Sequence, residues 1–185
     1  SSLIVLPIFY ILKTIFRVEG WIALIVSALF LFSPHWFGHS FINSKDPPFA
    51  VAFLSALYFL FKILKEIPKI SYRNFVLFGV FAGITQGIRV GGLILWAIAA
   101  LGFLIFSLRQ RNFSQFDVRF WAKASGIFVG AWLLMELFWP WSHYNVLTQP
   151  LVALKQFSSW YLKAPILLNG DIVLSTALPW YYFPI

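Results

Sequence analysis

Long apolar runs, separated by short polar segments, make up most of this chain. The runs cover residues 3–16, 20–33, 47–64, 74–108 and 121–141. A helix that crosses the ~30 Å hydrocarbon core of a bilayer needs about 20 predominantly apolar residues. The runs at residues 47–64 and 121–141 have about that length. The run at residues 3–16 is a partial span, and the run at residues 20–33 is short and would extend into its flanks or pack among neighbouring helices. The pattern therefore predicts a bundle of membrane-spanning helices.

The run at residues 74–108 is too long to be one span. Its 35 residues would form a straight helix of about 52 Å, which is well beyond the ~30 Å core. Three glycines, Gly87, Gly91 and Gly92, surround Arg89, the one charged residue in the run. Glycine is a poor helix former, so a break is expected there. We predict two spans, at residues 74–88 and 91–108, with Arg89 at the turn between them.

Composition supports a membrane protein. Of the 185 residues, 61% are hydrophobic and 11% are charged, and the mean hydropathy is +0.83. A soluble domain of this size cannot bury so much apolar surface. The net charge is +8, but the basic residues separate apolar runs and form no patch interleaved with aromatic residues, which argues against nucleic acid as a partner. The absence of cysteine excludes disulfides and thiolate metal sites.

The basic residues predict the orientation of the spans. Alternating spans place ten Lys and Arg residues on one side of the bilayer and four on the other. Those four are Lys45, Arg89, Lys155 and Lys163. The positive-inside rule assigns the first side to the cytoplasm. We therefore expect the segment at residues 33–49, the Arg89 turn and the loop at residues 142–178 on the external side, with an amphipathic helix at residues 150–162 in the membrane interface.

Both ends of the sequence lie in or beside apolar runs. The first run begins just after Ser1, and residues 179–185 resemble the beginning of a further span. No basic segment followed by a cleavage site precedes the first run, so a signal peptide is not indicated. We expect residues 1–185 to be a single partial transmembrane domain, a fragment of a longer membrane protein.

The polar segment at residues 33–49 contains two histidines and an adjacent Lys–Asp pair. His35 and His39 are four residues apart, a spacing that on a helix brings two imidazoles to one metal ion, with Asp46 as a third ligand. The alternative is a loop, broken by proline and glycine, at the level of the lipid headgroups. Asp46 is also a favoured residue for the N-cap of the following helix, with Lys45 as a headgroup anchor. A cap that faces a cavity is also a binding group.

Arg89 has the strongest functional indication of any residue. An arginine costs about 2.5–3.5 kcal/mol at the centre of an inserted helix, so it normally faces a cavity, a partner or a lipid headgroup. It either extends to the headgroups or binds phosphate oxygens through its forked guanidinium, with the flanking glycines allowing a ligand close to the backbone. Glu136, late in the last full span, is a candidate partner for Arg89 or Lys45, a member of another structural ion pair, or an interface residue.

Three motifs, in order along the chain, resemble bacterial members of glycosyltransferase family 39. They are S-P-x-x-F-G-H-S-F-x-x-x-K-D-x-P at residues 33–48, G-I-R-V-G-G at residues 87–92 and L-P-W-Y-Y at residues 178–182. The group contains enzymes that depend on lipid carriers and are related to protein O-mannosyltransferases and aminoarabinose transferases. The resemblance implies an all-α, polytopic membrane protein, part of the transmembrane helix bundle of a C-type glycosyltransferase in the bacterial inner membrane.

The resemblance also implies an activity and a site. Such enzymes transfer a sugar from a polyprenyl phosphate to a protein or lipid acceptor on the periplasmic side. Arg89 and Lys45 would bind the donor phosphate, with Asp46 nearby. His39 and Glu136 would line the site.

The catalytic group is expected outside this chain. Families of this kind carry an acidic residue, often an Asp-Glu pair, in the first external loop, and this sequence has no such pair. We expect it upstream of Ser1, and we expect the fragment to be inactive alone. No cofactor is definite, and a divalent metal at His35, His39 and Asp46 stays an alternative. The rival functions are a polytopic lipid transporter or flippase and a non-catalytic membrane scaffold.

Overall fold

The computed structural model describes residues 2–67, 69–110, 118–158 and 165–179, apart from the side chains at positions 39, 110, 119, 157 and 158. Of the described residues, 81% are helical. The chain divides into two compact units, Ser1–Val146 and Leu147–Ile185. The α-helices are α1 (Val5–Tyr10), α2 (Gly20–Leu31), α3 (Pro34–Ile42), α4 (Asp46–Glu66), α5 (Tyr72–Ile88), α6 (Ile94–Gln110), α7 (Val118–Phe138) and α8 (Gln149–Ser158). Shorter helical turns are Ser2–Ile4, Ile11–Ile15, Val90–Leu93, Pro140–Tyr144 and Ser175–Ala177.

Helix α5 lies at the centre of the first unit, between α4 and α7. Nine of its 17 residues are buried. Gly79, Gly83 and Gly87 face α7 at four-residue intervals, and a Cβ at Gly83 would lie only 2.8 Å from the carbonyl oxygen of Ala131. Small residues at this spacing let two helix backbones approach closely. Because Gly83 lies against Ala131 and Gly87 lies against Phe138, the two helices run parallel.

The chain reverses direction at Arg89, between α5 and α6. Arg89 has an extended backbone, with φ −147° and ψ 135°, and a 3-10 turn follows it. Helix α6 then folds back along α5, because Gly92 lies against the backbone of Thr85 and the ring of Trp96 contacts that of Phe78. The long apolar run is therefore two antiparallel helices, with Arg89 at the turn, as the sequence predicts.

The core of the first unit fills the space between α4, α5, α6 and α7. Its buried apolar side chains are Ala56, Leu60, Ile63, Phe75, Phe78, Ala82, Leu95, Ala99 and Phe120. Aromatic rings meet edge to face in this core, as they do between Phe75 and Phe120. Lipid tails are as apolar as these side chains, so close packing, more than the hydrophobic effect, holds the four helices together.

One end of the first unit carries most of its basic side chains. Lys65 Nζ donates to the carbonyl of Ile15 at 2.8 Å. Glu66 Oε1 accepts a hydrogen bond from Asn74 Nδ2 at 2.6 Å. The last turn of α4 therefore lies beside the end of the first helical run and the beginning of α5. We call this the basic end, and the opposite end of α5 the Arg89 end. The described basic residues at the basic end are Lys13, Arg17, Lys62, Lys65, Lys69, Arg73, Arg109 and Lys123.

Three helices in the described part of the chain are long and apolar enough to cross a membrane. They are Asp46–Glu66, Val90–Arg109 and Phe120–Phe138. Helices of this length and composition indicate an integral membrane protein. Helix α5, with 17 residues, is about 25 Å long at 1.5 Å per residue, and the first run, Ser2–Ile15, is shorter still. Helices α2 and α3 form a bent pair with an angle of 54° between them.

Helix α3 occupies most of the polar segment at residues 33–49, for which a loop is one of the two predictions. The loop prediction is wrong for Pro34–Ile42, because these residues are helical. Proline is favoured at the first position of a helix, where its missing N–H costs nothing. The Phe37 N–H then donates to the Ser33 carbonyl at 2.9 Å and begins the helical hydrogen bonding.

Helix α8 lies in the second unit, within the segment where the sequence predicts an amphipathic helix. It ends at Ser158, and residues 159–164 lie outside the described part of the chain. Ala153 is buried, whereas Leu151 and Leu154 are exposed. The span expected at residues 179–185 lies outside the described residues from position 180 onward.

A short β-hairpin follows in the second unit, in a chain that is otherwise helical as the sequence predicts. Strands β1 (Pro165–Leu168) and β2 (Asp171–Leu174) are antiparallel, with Ile166 opposite Val173. The turn residues Asn169 and Gly170 have positive φ values of 51° and 95°. Two-residue hairpin turns of type I′ need positive φ at both positions, and Asn-Gly is the sequence that favours them most. The signal for this hairpin is therefore present in the sequence.

Candidate functional site

Arg89 and Asp46 form an ion pair at the Arg89 end. The contact joins Arg89 Nη2 and Asp46 Oδ1, and the two side chains are 47% and 44% exposed. Asp46 begins α4, whereas Arg89 lies at the turn between α5 and α6. The fold therefore brings into contact two residues that come from two different motifs of the sequence.

Asn43 caps helix α4 and contacts Asp46. Its side-chain oxygen accepts hydrogen bonds from the backbone N–H groups of Lys45, at 3.0 Å, and of Asp46, at 3.1 Å. Its Nδ2 donates to Asp46 Oδ2. The prediction that Asp46 is the N-cap is therefore wrong: Asp46 is the first residue of the helix. The Asp46 carboxylate contacts Asn43 and Arg89. The side-chain oxygen of Asn43, and not the Asp46 carboxylate, accepts from the backbone N–H groups at the start of the helix.

The three glycines around Arg89 have different surroundings. A Cβ at Gly92 would lie 2.8 Å from the backbone nitrogen of Gln86, and one at Gly87 would lie 2.6 Å from the Phe138 ring. A Cβ at Gly91 would meet nothing within 4 Å. Gly92 and Gly87 are therefore required by helix packing, and the expected access of a ligand to the backbone applies to Gly91 alone.

Trp139 connects the end of α7 to the Arg89 end. Its indole Nε1 donates to the carbonyl of Gly87 at 2.7 Å. Gly87 belongs to the last turn of α5, where carbonyl groups have no partner within the helix. This hydrogen bond fixes the residue two positions before Arg89.

Glu136 is buried and does not join the Arg89–Asp46 pair. Its side chain accepts a hydrogen bond from Ser142 Oγ through Oε2, and its backbone carbonyl accepts one from His143 Nε2 at 2.9 Å. The residue is only 4% exposed, because the turn Pro140–Tyr144 folds over it. The described contacts therefore show that Glu136 is neither an exposed interface residue nor a partner of Arg89.

Lys45 and the two histidines differ in what the structure describes. Lys45 is exposed and adjacent to Asp46, and His35 is exposed on α3. The side chain of His39 lies outside the described residues. Among those that are described, no three His, Asp or Glu side chains could hold a metal ion together. The set of His35, His39 and Asp46 stays a prediction.

Arg89 is the group at the Arg89 end that is best suited to an anion. Among the described residues of the first unit, Arg89 and Lys45 are the two basic residues here, and Asp46 and the buried Glu136 are the two acidic ones. The 3-10 turn before α6 begins at this end, where helix N–H groups favour negative charge, whereas the start of α4 has its Asp46 N–H bonded to Asn43 and is followed by two prolines. A guanidinium has five N–H donors, and the contact with one carboxylate oxygen of Asp46 does not use all of them. The arrangement suits a phosphate group.

Asn43 and Trp139 are the two contributors to this end that the sequence analysis misses. Asn43 stands three residues before Asp46 and just ahead of a Pro-Pro helix start, a spacing related to the capping box. Trp139 follows an apolar span like any interfacial tryptophan, so nothing in the sequence indicates its bond to Gly87.

Comparison with known proteins finds no relative of this chain. No protein-family model matches this chain, and no curated protein or solved structure does. Function is therefore inferred from the residues and their geometry.

Proposed function

We propose that this chain is part of a membrane glycosyltransferase that takes a sugar from a polyprenyl phosphate and transfers it to a protein or lipid acceptor on the external side. The observation that carries the proposal is the ion pair between Arg89 and Asp46. The two residues come from the two motifs, at residues 33–48 and 87–92, that resemble glycosyltransferase family 39. Contact between them is what a shared donor site requires.

Arg89 and Lys45 bind the donor phosphate in this proposal. A guanidinium matches phosphate oxygens with parallel N–H donors, and Lys45 adds a mobile point charge beside it. Asp46 holds the guanidinium in one direction while leaving it about half exposed. An orienting carboxylate of this kind reduces the ordering cost when the phosphate binds.

The place of the pair at a bundle end suits a lipid donor. Helix α4 and the helical segment Val90–Arg109, which contains most of α6, both begin there, and both are long and apolar enough to cross a membrane. A polyprenyl chain stays in the hydrocarbon while its phosphate reaches the headgroup level, where the charged side chains are. A soluble sugar nucleotide would gain nothing from such a location.

The decisive experiment follows a labelled donor with the full-length protein in liposomes. The donors are a panel of polyprenyl phosphates, each carrying a radiolabelled sugar, and a membrane extract supplies acceptors. We expect label to move from lipid to acceptor, and we expect that transfer to be lost in Arg89→Ala protein that inserts normally. Movement of intact donor across the bilayer without loss of its sugar would instead identify the lipid transporter or flippase. If neither the sugar nor the intact donor moves, the chain is a non-catalytic membrane scaffold.

A further inference from the structure

A large apolar cavity lies between the helices of the first unit, away from Arg89. Its volume is about 650 Å³, within the range of ~300–1,000 Å³ that is typical of ligand sites. Helices α4, α5, α6 and α7 all contribute to its wall. Representative lining residues are Leu60, Phe78, Phe103, Phe120 and Phe128.

The cavity opens at the outer surface of the first unit. Leu104, Trp121 and Val129 line it and are each 50% or more exposed on the outer surface. The hydroxyl of Ser107, one of the few polar groups in the wall, already donates to the Phe103 carbonyl at 2.8 Å. The wall therefore presents mainly hydrocarbon and aromatic surface, which suits an alkyl chain and not a polar solute.

Two basic residues of α6 and α7 stand close in sequence to lining residues near the basic end of the cavity. Arg109 lies two residues after Ser107, and Lys123 precedes Ala124. Lys62 lies over the Tyr58 ring and lines another pocket. The described acid nearby, Glu66, is engaged by Asn74. Basic pockets between spanning helices on the cytoplasmic side attract anionic headgroups, and this is the side to which the positive-inside rule assigns the basic end.

We propose that this cavity holds one acyl chain of an anionic membrane phospholipid, whose headgroup lies beside the basic side chains of Arg109 and Lys123. The site is separate from the proposed donor site, because α5 separates the two ends by about 25 Å. It does not depend on the glycosyltransferase proposal, and a transporter or a scaffold with this fold would have it too.

The test uses full-length protein in lipid nanodiscs that contain a photoactivatable probe. The probe is phosphatidylglycerol with a diazirine midway along one acyl chain, and the attachment points are mapped by peptide mass spectrometry. We expect labelling of α6 and α7 peptides that line the cavity. Ala100→Trp fills the mouth, since Ala100 is exposed and lines the cavity, and it should abolish that labelling. Ala97→Trp is the matched control: Ala97 is exposed on the same helix but does not line the cavity.

A second pair of measurements tests the headgroup. A phosphatidylcholine probe with the same chain should label the cavity more weakly than phosphatidylglycerol, and Lys123→Gln combined with Arg109→Gln should remove that preference. Should Ala100→Trp fail to fold, Ser125→Trp fills the same cavity from α7. Equal labelling by both lipids, labelling that survives both tryptophans, or no labelling of the wild-type cavity would each overturn the proposal. The last result would mean that another part of the full-length protein fills it.

Discussion

Asp46 is the residue on which the contacts of the Arg89 end converge. Its two carboxylate oxygens meet Arg89 and Asn43. An ion pair between side chains that are about half exposed contributes little to stability, roughly 0–1 kcal/mol. The main effect of the pair is therefore to fix the direction of the guanidinium, which matters for binding more than for folding.

Asn43 is the residue at this end whose removal should affect folding. We expect Asn43→Ala to destabilise the protein by about 1 kcal/mol, because the N–H groups of Asp46, the first residue of α4, and of Lys45 just before it lose their acceptor. Thermal unfolding in detergent measures the change, and Ser44→Ala, one residue further along in an exposed position, is the control. If the two variants unfold at the same temperature, Asn43 is not a functional cap.

Sequence alone predicts part of this site. Arg89 and Asp46 stand out because isolated charges in or beside apolar runs are costly and so need a reason. Their contact with each other is not predictable, because it depends on how α4 packs against α5 and α6. The burial of Glu136 is equally hidden, since it results from the turn that follows α7.

At the scale of elements, the sequence predicts long features better than short ones. The break at Arg89 follows from a comparison of helix length with bilayer thickness. Helix α3 is harder to predict, because its polar residues and Gly38 are equally typical of a loop. The hairpin at β1 and β2 is harder to predict despite its Asn-Gly turn, because the apolar composition of a membrane chain favours helices.

The packing of α5 on α7 is the element contact most sensitive to substitution. We expect Gly83→Ala to loosen this pair and lower thermal stability in detergent, because its Cβ would lie 2.8 Å from the backbone oxygen of Ala131. The control is Gly130→Ala on α7, where a Cβ meets nothing within 4 Å. Alanine has the higher helix propensity, by about 1 kcal/mol, so the control should be neutral or stabilising.

The opposite order would contradict the parallel packing of these two helices. If Gly83→Ala unfolded at a higher temperature than Gly130→Ala, the intrinsic helix preference of alanine would outweigh any clash. Gly83 would then not lie at a close helix crossing.

At the scale of the molecule, the two ends of the first unit differ in charge. The reversal at Arg89 and the parallel course of α5 and α7 put the described basic residues of α4 to α7, apart from Arg89, at the basic end. The sequence predicts this grouping by alternating the spans, so the pattern of charges and the packing of helices agree. Which end faces outward is a prediction of the positive-inside rule.

Cysteine labelling tests that orientation, and the absence of native cysteine makes it clean. In intact cells, Ser44→Cys near the Arg89 end should react with a thiol reagent that cannot cross the membrane. Ser71→Cys, exposed at the basic end, should react only after permeabilisation. The reverse pattern would mean that the Arg89 end is cytoplasmic.

The central claim is that the Arg89 end, and not the basic end, binds the phosphate of a lipid donor. The most direct measurement is the dissociation constant of polyprenyl phosphate for three full-length variants in nanodiscs: Arg89→Ala, Arg89→Lys and Arg73→Ala. Arg73 is an exposed arginine in the first turn of α5, at the end of that helix opposite to Arg89. Loss of a charge-assisted contact should weaken binding roughly 10- to 100-fold in Arg89→Ala, with partial recovery in Arg89→Lys and no change in Arg73→Ala. A folded Arg89→Ala protein that binds the lipid as tightly as wild type would contradict the claim.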